Sequence, residues 1–134
     1  MTPYFSTPER LAALRAHAEQ WLGTPFAAHA MVRGAGVDCV HLGAAIYMAC
    51  GVFTEFAPPN YSLDAGAHQA GSQVVAWLDS HPSFLRFPSP QAGDCLCFRF
   101  GKSEHHIGVL VDDKKFIHAL PRRSVQFSSL RESY

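Results

Sequence analysis

Four cysteines and eight histidines are the residues here that could attack a carbonyl or carry a proton. A thiol attacks as its anion, so a nucleophilic cysteine needs surroundings that favour charge. Free cysteine titrates near ~8.5, and the amides of a helix start or a neighbouring imidazolium bring it to roughly 3.5–7.5. Of Cys39, Cys50, Cys95 and Cys97, only Cys39 stands where a helix should begin, directly after Asp38. Cys50 falls at that helix's end, where the dipole opposes an anion, and Cys95 and Cys97 lie on an expected strand. A cysteine on a helix is more often a small buried hydrophobe, so position alone does not make Cys39 a nucleophile.

Its candidate partners are His106 and His118, on two adjacent expected strands. In an antiparallel pair these two even-numbered residues share a face only if an odd number of residues joins the strands. Asp112-Asp113-Lys114 is such a loop, whereas a two-residue turn at Asp112-Asp113 would put the imidazoles on opposite faces. With the odd loop, a base and its orienting group can sit on one face, where the start of the Cys39 helix could pack.

The elements that must hold these residues follow from periodicity. Ser6 can cap a first helix with Glu9 three residues on, and Pro8 suits its first turn. Leu11, Leu14, Ala18, Trp21 and Leu22 then recur at helical spacing until Gly23 and Pro25. Residues 23–37 are rich in glycine and small side chains and predict a loop. Asp38 caps a second helix with Leu42, Ile46, Ala49 and Cys50 as its apolar stripe and Gly51 as its stop. Residues 52–70 predict mostly loop, 72–80 a short helix, and 82–90 a proline-rich stretch. From Gly93 the period becomes two: a strand over 94–100, a turn over 101–104, a strand over 106–111 and a third over 115–120. Helices first and an antiparallel sheet last predict a single α+β domain over residues 1–134.

Composition narrows the function classes. Eleven basic residues balance eleven acidic ones, with no basic stripe of the kind nucleic-acid binding needs. No apolar run approaches the ~20 residues of a bilayer-spanning helix, and the N-terminus lacks the layout of a signal peptide. Synthesis in the cytoplasm, no membrane span and no disulfide framework are the resulting expectations.

Five blocks in order carry a resemblance: Gly23-Thr24-Pro25-Phe26, Gly36-Val37-Asp38-Cys39, Ala92-Gly93-Asp94, His106-Ile107-Gly108-Val109 and Lys115-Phe116-Ile117-His118-Ala119. They resemble the blocks of NlpC-type cell-wall cysteine peptidases. The resemblance implies a papain-like fold with Cys39 as nucleophile, His106 as base and His118 orienting His106. It implies peptidoglycan peptide stems as substrate, cut after a γ-linked D-glutamate, at the bacterial cell wall and without a metal or other cofactor. The form GTPF with GVDCV is similar to the phage and prophage branch, which implies tail proteins as partners.

This chain departs from that pattern in three places. Phe26 stands where many members have Tyr, Val40-His41 replaces the usual Ser-Gly, and the chain stops shortly after the third expected strand. Phe26, Asp38, Val40 and His41 are accordingly the expected substrate-binding positions around the nucleophile. Two other readings of the function remain: a weakly active or inactive tail-assembly or wall-binding module, and an amidase or acyltransferase on the same fold. A zinc site from Cys95, Cys97, His105, His106 or His118 is the rival reading of the chemistry, but the spacing matches none of the common ligand patterns.

Overall fold

A computed structural model describes residues 3–58, 68–86, 89–100 and 103–130. Helix α1 (Pro8–Glu19) is capped by Thr7, whose side chain accepts from the Arg10 N–H, so the cap lies one residue later than the expected Ser6. Leu14 and Ala18 are buried, while Leu22, beyond the helix end, is exposed.

The loop expected over 23–37 holds a two-residue hairpin, β1 (Met31–Val32) and β2 (Gly36–Val37). Helix α2 (Cys39–Ala49) begins after Asp38 as its spacing predicts, and Gly51 closes it at φ 84°. Leu42 and Ile46 are buried, and so are Gly43, Ala44 and Tyr47, so α2 is covered on more sides than one apolar stripe implies. Helix α3 (His68–Ser80) starts earlier than the expected 72–80.

The sheet runs in the order β3 (Cys95–Phe100), β4 (Ser103–Leu110), β5 (Lys115–His118) and β6 (Gln126–Ser129), with each neighbouring pair antiparallel. Three differences from the sequence reading matter. Strand β4 begins inside the expected turn, β5 ends at His118 instead of residue 120, and β6 supplies a strand beyond the third. The signal for β6 is short, one alternation of Val125 and Phe127 with Gln126 and Ser128.

Alternation sorts the sheet into two faces. A Cβ on Gly43 would lie 3.6 Å from Ile107 Cδ1 and 3.8 Å from Val109 Cγ2, so α2 lies over the odd-numbered residues of β4. Val109, with Ile117 and Ala119, joins Leu14, Ala18, Leu42 and Ile46 in the main core, while Ile107 packs with Cys39, Val40 and Val74. The even-numbered face carries Phe98, His106, Gly108, Phe116 and His118, whose rings pack with centroids 4.7–5.7 Å apart.

Gly93 is fixed by two demands at once. Its φ is 98°, and a Cβ there would overlap the Phe5 ring. Its N–H donates to Leu110 O at 2.6 Å and its carbonyl accepts from the buried Tyr47 hydroxyl at 2.8 Å. That ties the start of β3 to α2.

Candidate active site

Asp38 organises the helix start. It is fully buried, yet its carboxylate is well supplied with donors. Oδ1 accepts from the His41 N–H at 2.7 Å and faces His41 Nδ1 at 3.0 Å, and Oδ2 accepts from the His29 N–H at 2.6 Å. A non-glycine residue pays for φ 62°, the value at His29, and the bond to Asp38 holds it there. One carboxylate thus caps α2 and pins the preceding loop beside it.

The Gly23-Thr24-Pro25-Phe26 block closes that loop from the other end. Gly23 N–H donates to Val125 O, Val125 N–H to Thr24 O, and Phe26 N–H to Arg123 O. The buried Thr24 hydroxyl accepts from the Gly34 N–H at 3.0 Å. Phe26 bridges Val37 and packs against the main core, half-buried. Its ring supports the segment leading to Asp38-Cys39.

His106 and His118 come together as the odd loop requires. Val111 N–H donates to Lys115 O, leaving Asp112-Asp113-Lys114 as the connection. The register places His118 opposite Gly108, so His106 lies two residues along on the same face. His106 Nε2 lies 2.8 Å from His118 Nδ1, and His118 Nε2 lies 2.8 Å from Ser128 Oγ. His106 and His118 are both buried, and Ser128 nearly so. The sequence reading missed Ser128 because it missed β6.

Gly108 explains why a glycine follows His106 by two. A Cβ there would lie 2.9 Å from Phe116 Cδ2, 3.1 Å from Ile117 O and 3.4 Å from His118 Cβ. Any larger residue presses on the backbone and ring that hold His118.

Cys39 stands differently from the sequence expectation, in which the start of its helix packs on the face that carries the histidines. The body of α2 covers the odd face, with Gly43 against Ile107 and Val109, while the imidazoles lie with Phe98 and Phe116 on the even face. The backbone hydrogen bonds place the thiol relative to β4. Val111 N–H points toward β5, and N–H groups two residues apart point the same way along a strand, so Ile107 N–H points there too. Strand β5 has ended at His118 by that level. The Ile107 N–H instead bonds the Cys39 thiol and lowers its pKa. The sulfur therefore lies level with the sheet, past the end of β5, next to the peptide that follows His106.

The thiol itself is not held ionised. Burial pushes Cys39 up to about 12, and the Asp38 charge raises it further, against the N–H groups of Ile107, Val40 and Cys39 that lower it. Only 4% of the residue is exposed, and it clusters with Val40, Val74 and Ile107. The expectation that helix-start amides keep the anion is corrected here: desolvation outweighs them. Attack by Cys39 therefore has to include loss of its proton to a base.

The remaining sequence candidates separate. Val40 is buried and lines a small, mainly apolar pocket with Phe56, Val74 and Trp77. His41 is partly exposed, edge-on to Phe56 with centroids 5.3 Å apart. Asp94 accepts from the Gln91 N–H at 2.8 Å, a turn contact before β3. The Cys95 thiol is held well above its ordinary value by a hydrogen bond with Cys97 and by burial. The side chain of His105 lies outside the described residues. Among the described residues, no cluster of three or more His, Cys, Asp or Glu could hold a metal, and no helix is long and apolar enough to cross a membrane.

A helix that opens on a cysteine, set against an antiparallel sheet bearing a histidine pair, has the architecture of a papain-like α+β cysteine peptidase. The NlpC/P60 family model matches residues 23–134, and the chain belongs to that family. It is 26% identical over 126 residues to a probable endopeptidase of Haemophilus influenzae, covering 92% of this chain and 68% of that protein. The fold is similar to the crystal structure of the NlpC/p60 domain of the peptidoglycan hydrolase SagA, with a TM-score of 0.60, 20% identity and 90% of each chain covered. It is also similar to a lipoprotein-like NLP/P60 family structure from Staphylococcus aureus, with a TM-score of 0.65 and 17% identity over 100% of this chain and 40% of that one.

Proposed function

We propose that this chain is an endopeptidase that hydrolyses the peptide stems of bacterial peptidoglycan, with Cys39 as nucleophile, His106 as general base and His118 orienting His106. The observation that carries this reading is the buried His106–His118 hydrogen bond beside the strand position whose N–H meets the Cys39 thiol. Family membership and the peptidase and peptidoglycan-hydrolase relatives support the substrate class.

Because the thiol rests protonated, catalysis starts with proton transfer. His106 Nε2 is engaged with His118, so Nδ1 takes the thiol proton as sulfur attacks the scissile carbonyl. The tetrahedral oxyanion is held by backbone N–H at the helix start, where loss of one such donor costs ~2.7–4 kcal/mol in comparable sites. The C–N bond breaks, the proton on His106 passes to the leaving amine, and a thioester remains on Cys39. Water then gives its proton to His106 as it attacks, releasing the acid and restoring the thiol. No cofactor enters these steps.

Cleavage after a γ-linked D-glutamate, with partly exposed Phe26 and His41 beside the bound stem and buried Asp38 and Val40 holding the helix start behind them, is the finer part of the proposal. Action within a phage or prophage tail is finer still and rests on the GTPF and GVDCV blocks. Digestion of purified peptidoglycan by wild type and Cys39→Ala, with mass analysis of the fragments, tests the reading. New amino and carboxyl ends should appear only with wild type. Fragments of equal yield from both proteins would remove it.

A further inference from the structure

The hydrogen bonds from His106 to His118 to Ser128 form a chain that can run in either of two directions, and only one of them arms the base. If His118 Nε2–H donates to Ser128 Oγ, His118 Nδ1 is the acceptor for His106 Nε2–H. The lone pair of His106 is then on Nδ1, the nitrogen that must receive the thiol proton. If Ser128 donates instead, His118 Nδ1–H donates to His106 Nε2, and His106 carries its proton on Nδ1. A neutral imidazole in that form cannot accept from Cys39.

We infer that Ser128 is a positioning residue that sets the tautomers of the histidine pair, accepting from His118 Nε2 and so leaving the basic nitrogen of His106 toward the thiol. The geometry is suited to this task. Ser128 is on β6, diagonal to His118 across the β5–β6 pairing, in the register His118↔Gln126 and Phe116↔Ser128. All three side chains are buried, so water is poorly placed to substitute for the hydroxyl. The tautomer of a histidine is set by the bond its other nitrogen makes, and here that logic extends one residue beyond the base and its orienting partner.

The inference rests on the proposed roles of Cys39 and His106, and its test is separable from theirs. Nitrogen NMR of imidazole-labelled protein at about pH 8, where an ordinary histidine is neutral, reads the tautomers without substrate. Wild type should show His106 protonated on Nε2 and His118 protonated on Nε2. Ser128→Ala should mix the tautomers and lower kcat by about 10- to 100-fold, by analogy with the range lost when the outer hydrogen-bond partner of a metal-bound histidine is removed, with KM little changed. Ser128→Thr, which keeps a hydroxyl, should restore both the spectrum and kcat.

A wild-type His106 protonated on Nδ1 overturns the inference, and needs no variant that might misfold. So does an unchanged tautomer or an unchanged kcat in folded Ser128→Ala. Full activity in Cys39→Ala would instead remove the nucleophile, leaving the tautomer result standing as a property of the sheet.

Discussion

Gly108→Ala and Gly43→Ala are the same chemical change at two places packed against the same sheet, and opposite outcomes are expected. At Gly43 the added methyl meets Ile107 Cδ1 at 3.6 Å and Val109 Cγ2 at 3.8 Å, ordinary contacts. Alanine is favoured over glycine inside a helix by about 0.8–1 kcal/mol, so this variant should be neutral or more stable by up to that amount. At Gly108 the methyl meets Phe116 Cδ2 at 2.9 Å and Ile117 O at 3.1 Å. A backbone carbonyl inside a ladder cannot swing aside, and overpacking of this kind costs about 1–3 kcal/mol. The strain falls on the strand that holds His118, whose bond to His106 is 2.8 Å long. A displacement approaching ~1 Å can cost on the order of 100-fold in rate, so kcat should fall about 10- to 100-fold. Urea unfolding and steady-state cleavage of a stem-peptide substrate, run on both variants, give the two readouts. If Gly108→Ala loses stability but keeps wild-type kcat, the positioning of His118 through this contact is refuted. If it loses neither, the packing itself is wrong.

Stability should also decline in alkali. The folded Cys39 thiol titrates near 12 against 9.0 for an unperturbed thiol. Its contribution is therefore complete below pH 9 and is lost as pH rises toward 12. Cys50, Cys95 and Tyr47 are shifted in the same direction. Denaturation midpoints measured upward from about pH 8 should fall, and Cys39→Ala should flatten the slope by up to about 1.4 kcal/mol per pH unit. Asp38→Ala removes the acceptor for the His29 and His41 N–H groups. Loss of the cap alone costs about 0.5–2 kcal/mol, and the variant should lose more than that in urea. Tyr47→Phe deletes the bond to Gly93 O and should cost about 0.5–1.5 kcal/mol with kcat retained, since it ties β3 to α2 away from the histidines.

Much of this arrangement could be read from residue types and spacing. Asp38 as cap, Gly51 as stop and the three-residue loop that puts His106 and His118 on one face each follow from local rules acting within a few residues. The relation of α2 to the sheet did not follow. Which face takes the helix depends on Ile107, Val109 and Ile117 competing as a set, and the shared parity of two histidines says only that they agree with each other. The protonated state of Cys39 was hidden for a similar reason: a helix start is visible in sequence, but the desolvation that opposes it comes from residues such as Val74 and Ile107, distant along the chain. Ser128 was lost with β6, where four residues gave too short an alternation to announce a strand. The Thr7 cap was one position off because Ser6 and Thr7 offer equivalent hydroxyls, and only backbone geometry separates them.

The most direct measurement is the rate at which iodoacetamide alkylates Cys39, resolved from the other three cysteines by peptide mapping, in wild type and in His106→Ala. Buried and protonated, resting wild-type Cys39 should react more slowly than half-buried Cys50, and loss of the imidazole that can take its proton should slow Cys39 further. A Cys39 that labels ahead of Cys50 in the resting protein, or equally fast with and without the imidazole, would contradict the account.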